Sequence, residues 1–407
     1  MTGRQTFVIV GASLAGAKAA ETLRLEGFDG RIVLIGEEAE RPYERPPLSK
    51  GLLQGQVEID KTFLRPVAFY AEQDIALVSG TQVREIDRAR RELRLDAGDP
   101  LRYEQLVIAT GARARRLNVP GSDSPAVHVL RGIDDALALR AALAPSSRLL
   151  IVGGGFIGLE IAASARALGV AVTVIEQAPG LMGRVLPPAV ASCLAAVHAG
   201  HGVEIRTGVA LLGLAARPGG GVIAQTSDGD MPADVVAVGI GSIPNAELAK
   251  AAGLNVDDGV LVDEFGRSSD DSIWAAGDVT RHFNPLLGRH VRLESWKNAQ
   301  NQAIAVAKAI AGQPAPYAEL PWLWSDQYDL NLQLAGLPQG GEQLVWRGTP
   351  EEGRFTVLGL ANGRPTFAIT MNQAREMRFA QQLVARGAPV DPLRLADVST
   401  PLQRMVA

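Results

Sequence analysis

The sequence is short of cysteine, histidine and long apolar runs. Its 407 residues contain one cysteine, Cys193, and five histidines. A single cysteine excludes an internal disulfide, a CxxC redox pair and a thiolate metal cage, so we expect a reducing, cytoplasmic setting and no metal site. No apolar run approaches the ~20 residues that cross a bilayer. The apolar stretch Phe7–Val10 is too short for a signal peptide and predicts a first strand.

An excess of charge is also missing. The formal net charge is −4, with 21% charged and 47% hydrophobic residues, which is typical of a globular protein. Bulk charge therefore gives no reason to expect a nucleic-acid or membrane partner. The length suffices for two or three domains.

Glycine is abundant, with 44 residues, and two glycine-rich fingerprints stand out. The first spans residues 8–16 and the second spans residues 149–158. Each follows an apolar strand and precedes an alanine-rich helix, as in dinucleotide-binding folds. Two such motifs in one chain predict two bound dinucleotides, an arrangement that suits electron transfer between cofactors.

The pattern of strands and helices predicts an α/β fold with three domains. The first nucleotide-binding domain comprises residues 1–112 and 244–319, a second is inserted at 113–243, and a C-terminal α+β domain covers 320–407. The βαβ order indicates parallel sheets with right-handed crossovers. Short apolar runs at 259–263 and 273–276 are expected to return to the first sheet, and residues 375–386 to form a helix.

The first fingerprint departs from the glycine pattern at one position. Gly11 and Gly16 occupy the first and third glycine positions, while Ser13 occupies the second. Glu37 follows the second strand, where a carboxylate accepts hydrogen bonds from ribose hydroxyls, and Glu38 could share that role. Lys50 begins or precedes a short helix after a proline-rich loop. It is either a solvated surface lysine or a fixed positive charge beside a redox ring.

The second fingerprint matches the full pattern at Gly153, Gly155 and Gly158. Glu176 ends the next strand, and a carboxylate there favours the free 2′-hydroxyl of NADH over the phosphate of NADPH. Arg184 lies close enough in sequence to oppose that preference. Glu160 either interacts favourably with the dipole of its helix or reaches the nicotinamide edge and pairs with Lys50.

Three further motifs complete the pattern: Arg45-Pro-Pro-Leu-Ser-Lys50, Ala276-Gly-Asp-Val279 and Pro321-Trp-Leu-Trp-Ser-Asp-Gln327. With them the chain resembles, over essentially its whole length, the FAD-dependent NADH:ferredoxin reductases. This family includes the putidaredoxin reductases, the rhodocoxin reductases and the ferredoxin reductases of aromatic dioxygenases. The resemblance implies a glutathione-reductase-like fold, with tightly bound FAD on the first domain and NADH on the inserted domain.

The fingerprints and the resemblance together nominate the cofactor-binding residues. Ser295 is expected to cap a helix over residues 295–310, directed at the flavin. The candidate flavin residues are Gly11, Ser13, Leu14, Ala15, Gly16, Glu37, Arg45, Lys50, Val83, Ala109, Thr110, Gly111, Arg131, Gly277, Asp278, Ser295, Trp296 and Trp324. The candidate NADH residues are Gly153, Gly155, Phe156, Ile157, Gly158, Glu160, Glu176, Arg184 and Gly239.

The resemblance also implies a reaction and a partner. NADH would pass hydride to FAD, which would release single electrons to a [2Fe-2S] ferredoxin serving a cytochrome P450 or a Rieske oxygenase. Lys50 and Glu160 are the candidate catalytic residues, and the histidines are expected to be surface or satisfied core residues. Oxygen-reducing relatives carry a redox cysteine where Leu48-Ser49-Lys50 stands, so no thiol relay is expected here.

Two other functions remain open on the sequence. One is an NADH oxidase or quinone reductase, and the other is an FAD- and NADH-binding redox sensor of the apoptosis-inducing-factor type. Docking of an acidic ferredoxin would need a local basic patch. The candidate residues for that patch are Arg289, Arg292 and Lys297, or Arg113, Arg115 and Arg116.

Overall fold

A computed structural model describes residues 5–406. The chain forms two compact units, each built from separated segments. The first contains the chain up to Glu44, Asp60–Arg113 and Ser242–Glu319, and the second contains Arg45–Ile59, Ala114–Gly241 and the chain from Leu320. The sequence-based division into three domains stays a prediction, and each unit is described separately below.

The first unit is built on a five-stranded parallel sheet. In spatial order its strands are Ile273–Ala275, Gln105–Ile108, Thr6–Val10, Arg31–Ile35 and Ile75–Val78. The strands are almost wholly apolar because both faces of the sheet are covered. Helices Leu14–Leu25 and Trp296–Ile310 pack on one face, and a small antiparallel sheet packs on the other. The predicted strand near residue 273 therefore joins this sheet.

Smaller elements complete the first unit. Two three-stranded sheets comprise Val83–Asp87, Glu92–Leu95 and Leu101–Arg102, and Val260–Val262, Thr280–Asn284 and Arg289–Val291. The strand predicted near 259–263 is thus wrongly assigned to the main sheet, since Val260–Val262 pairs with Thr280–Asn284. A three-residue apolar run carries no information on which neighbouring strand it joins. The short helices Phe69–Glu72 and Glu247–Ala251 also belong to the first unit, and the 3₁₀ turn Ile59–Lys61 lies where the chain passes from one unit to the other.

The second unit contains another five-stranded parallel sheet. Its strands, in spatial order, are Glu204–Thr207, Ala171–Glu176, Arg148–Val152, Val235–Val238 and Val127–Val129. Helices Ile133–Ala142, Phe156–Ala167 and Pro188–Gly200 belong to this region. The antiparallel strands Leu211–Ala216, Val222–Thr226 and Gly229–Ala233 contribute to an apolar core with this sheet. This is a second Rossmann-type half, as predicted.

The C-terminal part of the second unit is a five-stranded antiparallel sheet with helices. Its strands, in spatial order, are Trp322–Gln327, Leu330–Gly336, Arg364–Met371, Arg354–Ala361 and Gln343–Thr349. Helices Ala374–Arg386, Pro392–Ala396 and Gln403–Val406 contribute to a core with it. A second core joins Leu159 and Leu194 of the nucleotide-binding part to Leu332 and Phe355 of this sheet. The predicted fold class is confirmed.

The remaining short elements are the 3₁₀ turns Pro46–Ser49 and Pro350–Glu352 and the strands Ala112–Ala114 and Ser242–Pro244. Within residues 5–406, no helix combines the length and the apolar character that a membrane crossing needs. The lone cysteine, Cys193, is half-buried on helix Pro188–Gly200, and burial raises the pKa of its thiol.

Candidate functional site

The first fingerprint forms the turn between strand Thr6–Val10 and helix Leu14–Leu25. Gly11 has a φ of +115°, and its N–H donates to Ile35 O at 2.8 Å. A Cβ on Gly11 would lie 2.0 Å from Ala109 O, and one on Gly16 would lie 1.9 Å from Gly11 O. Only glycine fits at these two positions, so strand, turn and helix approach one another as a dinucleotide cradle requires.

Ser13 stands at the N-cap of this helix in extended conformation, with φ −109° and ψ −161°. Nothing in that backbone geometry demands glycine, which explains why the substitution is tolerated. Its side chain makes no capping hydrogen bond to the helix. The first-turn N–H groups, including those near Leu14 and Ala15, therefore have no side-chain cap, and such a helix N-terminus binds phosphate anions.

Acidic residues follow the second strand of the same unit. Glu37 is exposed directly after strand Arg31–Ile35. A Cβ on Gly36 would lie 2.6 Å from Ala12 Cβ, which shows that this segment contacts the glycine turn. The Glu38 carboxylate accepts a hydrogen bond from the Tyr43 hydroxyl. Glu37 is therefore the better placed of the two carboxylates to accept from a ribose.

A second loop of the first unit packs against the fingerprint helix. Gly277 has a φ of +83°, and a Cβ there would lie 3.0 Å from Ala15 Cβ. Its N–H donates to Gln302 Oε1 at 2.9 Å, and the Thr280 hydroxyl donates to the same oxygen at 3.0 Å. The buried Gln302 thus fixes the turn that carries half-buried Asp278. Gln302 was not predicted from the sequence, since glutamine in an alanine-rich helix is usually exposed.

The segment after strand Gln105–Ile108 is fixed by an asparagine. Asn245 Nδ2 donates to Thr110 O at 2.9 Å, and the Thr110 hydroxyl donates to Asn245 O at 2.8 Å. The Asn245 N–H donates to Gly111 O at 2.9 Å. Three hydrogen bonds hold Ala109-Thr110-Gly111 beside Gly11. Asn245 was not predicted, because only the fold brings it to this strand end.

Helix Trp296–Ile310 begins as the sequence predicts. The Ser295 hydroxyl accepts from Asn298 N at 3.2 Å and caps the helix. The Trp296 indole donates to the Glu44 carboxylate, whose pKa is raised by burial.

Val83 is buried in the apolar core beneath the main sheet. Its side chain therefore has a packing role in the first unit.

The second fingerprint repeats the geometry of the first. Gly153 has a φ of +107°, and a Cβ on it would lie 2.5 Å from Gly239 O. A Cβ on Gly158 would lie 2.2 Å from Gly153 O. Gly155 is the N-cap of helix Phe156–Ala167 and lacks a side chain to cap it. Beside it, Ile157 is exposed, and its contact with a nucleotide stays a prediction.

Glu176 is held in place by backbone amides. Its Oε2 accepts from Gly154 N at 2.7 Å, and its Oε1 accepts from Ala178 N at 2.8 Å. A half-buried carboxylate fixed beside the glycine turn matches the acceptor that binds a ribose 2′-hydroxyl. The exposed Arg184 lies against Gly241, where a Cβ would be 3.2 Å from its Nη2.

Lys50 and Glu160 form an ion pair, which is the pairing that the sequence raises for Glu160. Lys50 Nζ lies 2.8 Å from Glu160 Oε2, which also accepts from the Ser49 hydroxyl at 2.5 Å. Glu160 Oε1 accepts from the Ser325 hydroxyl at 2.6 Å. Glu160 is only 5% exposed, whereas Lys50 is 23% exposed. Lys50 follows the 3₁₀ turn Pro46–Ser49 rather than beginning a helix, because prolines preset the turn before it.

Arg45, Arg131 and Trp324 also belong to the second unit. Arg45 Nη1 donates to Arg131 O at 2.5 Å, and Trp324 stacks on Trp322 with ring centroids 5.2 Å apart. The proposed contacts of these three residues and of Lys50 with a flavin stay predictions.

Two of the five histidines, His198 and His282, are buried in the structure. His198 is buried and hydrogen-bonded to Gln327 and Tyr328, as a satisfied core residue should be. For His282 that expectation is wrong, since both ring nitrogens are buried and have no hydrogen-bond partner in the described chain. Burial lowers the pKa of His282 to about 4.

Half of the basic residues considered for ferredoxin docking are ion-paired within the first unit. Arg292 pairs with Asp258, Lys297 with Glu319, and Arg113 with Glu247. Arg113 also lowers the pKa of Glu247. Neutralised charges attract a partner weakly, so these three residues are poor candidates. Over residues 5–406, no cluster of histidine, cysteine or acidic residues is arranged to hold a metal ion.

Comparison with known proteins agrees with this geometry. The family description "Pyridine nucleotide-disulphide oxidoreductase" matches residues 5–303, and "Reductase C-terminal" matches residues 322–406. The ferredoxin–NAD⁺ reductase component of the anthranilate 1,2-dioxygenase system of Burkholderia cepacia is 48% identical over 398 residues, covering 98% of each chain.

Two solved structures are also similar. Putidaredoxin reductase of Pseudomonas putida is 38% identical, and its structure in a covalent complex with putidaredoxin has a TM-score of 0.96, covering 100% of this chain and 99% of that one. The ferredoxin reductase of the CYP199A2 system of Rhodopseudomonas palustris is 39% identical, with a TM-score of 0.95 and coverage of 99% and 100%. Water-forming NADH oxidases at 19% identity share the fold alone.

The paired nucleotide-binding turns and the matched family define this chain as an oxidoreductase of the pyridine nucleotide-disulphide oxidoreductase family. Within that family, the chain belongs to the ferredoxin reductases.

Proposed function

We propose that this chain is the NADH-dependent reductase component of an oxygenase system, with FAD as its bound cofactor and a [2Fe-2S] ferredoxin as its electron acceptor. The pair of glycine turns carries the proposal, since each has the backbone approach and the open helix N-terminus that a dinucleotide needs. Relatives named for dioxygenase and putidaredoxin systems support the choice of acceptor.

The first unit fits FAD. Gly11 and Gly16 allow a pyrophosphate to approach the N-terminus of helix Leu14–Leu25, and exposed Glu37 is available to a ribose. Asp278 is carried to the same region by the Gly277 turn. A flavin bound there would supply acceptance of an electron pair and its release as single electrons.

The second unit fits NADH rather than NADPH. The oriented Glu176 carboxylate accepts a 2′-hydroxyl and repels a 2′-phosphate. Its two backbone hydrogen bonds keep the acceptor in place before any nucleotide binds. Arg184 offers a cation near Gly241, suited to a pyrophosphate oxygen.

Lys50 and Glu160 are proposed to set the electrostatics of the reaction. Glu160 holds the Lys50 ammonium at 2.8 Å, and Lys50 keeps 23% of its side chain exposed. A fixed ammonium stabilises negative charge that develops next to it. The Leu48-Ser49-Lys50 segment contains no thiol, so these residues cannot relay electrons through a disulfide.

An anaerobic rapid-mixing experiment tests the proposal. We expect purified protein to carry FAD, NADH to bleach it at least ten times faster than NADPH, and added [2Fe-2S] ferredoxin to restore the oxidised absorbance while being reduced. Rapid reoxidation by oxygen with no response to ferredoxin would instead support an NADH oxidase. A long-lived reduced state with bound nucleotide, unresponsive to both, would support a redox sensor.

A further inference from the structure

The Glu160 carboxylate is the end of a buried hydrogen-bond chain in the second unit. Ser325 donates to it at 2.6 Å, and Gln327 Nε2 lies 2.9 Å from Ser325 Oγ. Gln327 Oε1 is 2.7 Å from His198 Nε2, and the Tyr328 hydroxyl is 3.2 Å from His198 Nδ1. Ser325, Gln327 and His198 are each 1% exposed or less. Four consecutive contacts therefore connect the ion pair to half-buried Tyr328.

Three separate elements build this chain. Glu160 lies on helix Phe156–Ala167 and His198 on helix Pro188–Gly200. Ser325 and Gln327 alternate along strand Trp322–Gln327, which places both side chains on one face of the sheet. The C-terminal sheet thus contributes directly to the surroundings of the nucleotide-binding helix.

The direction of each hydrogen bond follows by elimination. An ionised carboxylate only accepts, so Ser325 must donate to Glu160 and must itself accept from the Gln327 amide. The carbonyl of Gln327 then needs a donor, which requires the proton of His198 to sit on Nε2. His198 Nδ1 is left as an acceptor for the Tyr328 hydroxyl. Every donor in the chain points toward Glu160.

We propose that Ser325, Gln327 and His198 are positioning residues, whose one-directional hydrogen-bond chain holds the Glu160 carboxylate oriented toward Lys50. The inference rests on the proposed function, because it assigns the Lys50–Glu160 pair a part in NADH oxidation. Aligned hydrogen bonds polarise one another, and a buried carboxylate needs such donors to stay charged. The chain does not conduct protons, because the Gln327 amide has no exchangeable hydroxyl to pass one along.

The charged and titratable neighbours fit this assignment. Lys50 faces Glu160 from the 3₁₀ turn, and His201 stacks on Tyr328 with ring centroids 3.7 Å apart. Arg166 acts electrostatically on Tyr328. Burial lowers the pKa of His198, and His201 adds to that effect, which favours the neutral ring that the hydrogen-bond chain requires.

The test compares Ser325→Ala with Thr370→Val, a matched loss of a buried hydroxyl. Thr370 lies in the same sheet, and its hydroxyl has no partner in the described part of the chain. We expect Ser325→Ala to slow flavin reduction at saturating NADH about tenfold, because a charge-assisted hydrogen bond is lost, and to leave the NADH KM near its original value. Ser325→Thr, which keeps a hydroxyl at this position, should restore the rate.

A second readout needs no turnover. The infrared spectrum of oxidised enzyme with ¹³C-labelled glutamate side chains, after subtraction of the Glu160→Gln spectrum, reports the hydrogen bonding of the Glu160 carboxylate directly. Its carboxylate band should lie at a different frequency in Ser325→Ala than in wild type or Thr370→Val, because the hydrogen bond to Oε1 is lost. His198→Leu, which leaves the Ser325 contact intact, should shift the band in the same direction by less.

The outcomes separate the two proposals. If NADH fails to reduce the wild-type flavin, the proposed function is wrong. If wild type is reduced normally while Ser325→Ala behaves like Thr370→Val in both measurements, the positioning chain is wrong. Should Ser325→Ala fail to fold, an unshifted Glu160 carboxylate band in His198→Leu contradicts the chain, and a shifted band supports it.

Discussion

The Lys50–Glu160 ion pair should show strong energetic coupling. Replacing Lys50 with methionine keeps the length of the side chain but leaves Glu160, 5% exposed, facing no cation. Removing one partner of a buried ion pair costs about 3 to 5 kcal/mol, because the other charge stays buried. Since Lys50 is 23% exposed, water replaces part of its interaction, and we expect a cost of about 2 kcal/mol.

Glu160→Gln should cost less, about 1 kcal/mol, because the exposed part of Lys50 recovers hydration. The double variant removes both charges, so its cost should fall below the sum of the single costs. We expect a coupling energy of about 1 to 2 kcal/mol for residues in direct contact. Lys50→Met should also slow flavin reduction at saturating NADH, since the fixed cation is lost.

Native-state hydrogen exchange of helix Phe156–Ala167 is the assay, because it reports the local opening free energy in folded enzyme. The control cycle uses Arg113 and Glu247, an exposed pair at 2.7 Å in the first unit, read out by the exchange of helix Glu247–Ala251, and their coupling should be at most about 0.5 kcal/mol. A Lys50–Glu160 coupling no larger than this control would refute the reasoning.

Three further predictions follow from the geometry. Glu176→Ala should raise the NADH KM about tenfold and narrow the preference for NADH over NADPH. An unchanged ratio of the kcat/KM values for the two nucleotides would contradict the assigned role of Glu176. Gly11→Ala should yield protein with little bound flavin, because its Cβ would meet Ala109 O at 2.0 Å, whereas Gly27→Ala, also at positive φ but in open space, should keep its flavin. The pKa of His282 falls from an ordinary 6.5 to about 4 on folding, so between these values the unfolded chain binds more protons and stability decreases as the pH falls, by about 3 kcal/mol in total. In His282→Phe the free energy of unfolding should decrease less between pH 6.5 and pH 4 than in wild type. If the two proteins show the same pH dependence, His282 is not the cause of the decrease.

The parallel sheets and glycine turns could be predicted because their signals are local. Apolar strands followed by Gly11 or Gly153 fix both the chain direction and the sharp turn. The cap at Ser295 is equally local, since a serine at a helix start accepts from an amide three residues on. The strand Val260–Val262 was misplaced because its three residues fit the edge of either sheet.

The supporting residues of the candidate site depend on tertiary contacts. Alternation along Trp322–Gln327 predicts that Ser325 and Gln327 share a face, but nothing in the sequence indicates that His198 meets them. Gln302 and Asn245 are similar cases, because each bonds a backbone group that only the fold brings near. Sequence spacing therefore identified the glycine turns better than the residues whose hydrogen bonds fix the neighbouring loops.

The apolar core that Leu159 and Leu194 share with Leu332 and Phe355 matters for anyone recombining these reductases. A hybrid of two reductases joined at position 320 would take the nucleotide-binding helix from one protein and the C-terminal sheet from the other. Apolar surfaces that evolved separately would then have to pack against each other. Junctions that transplant residues 45–59, 114–241 and 320–407 together keep those surfaces matched. The second nucleotide-binding half and the C-terminal sheet are therefore best exchanged together.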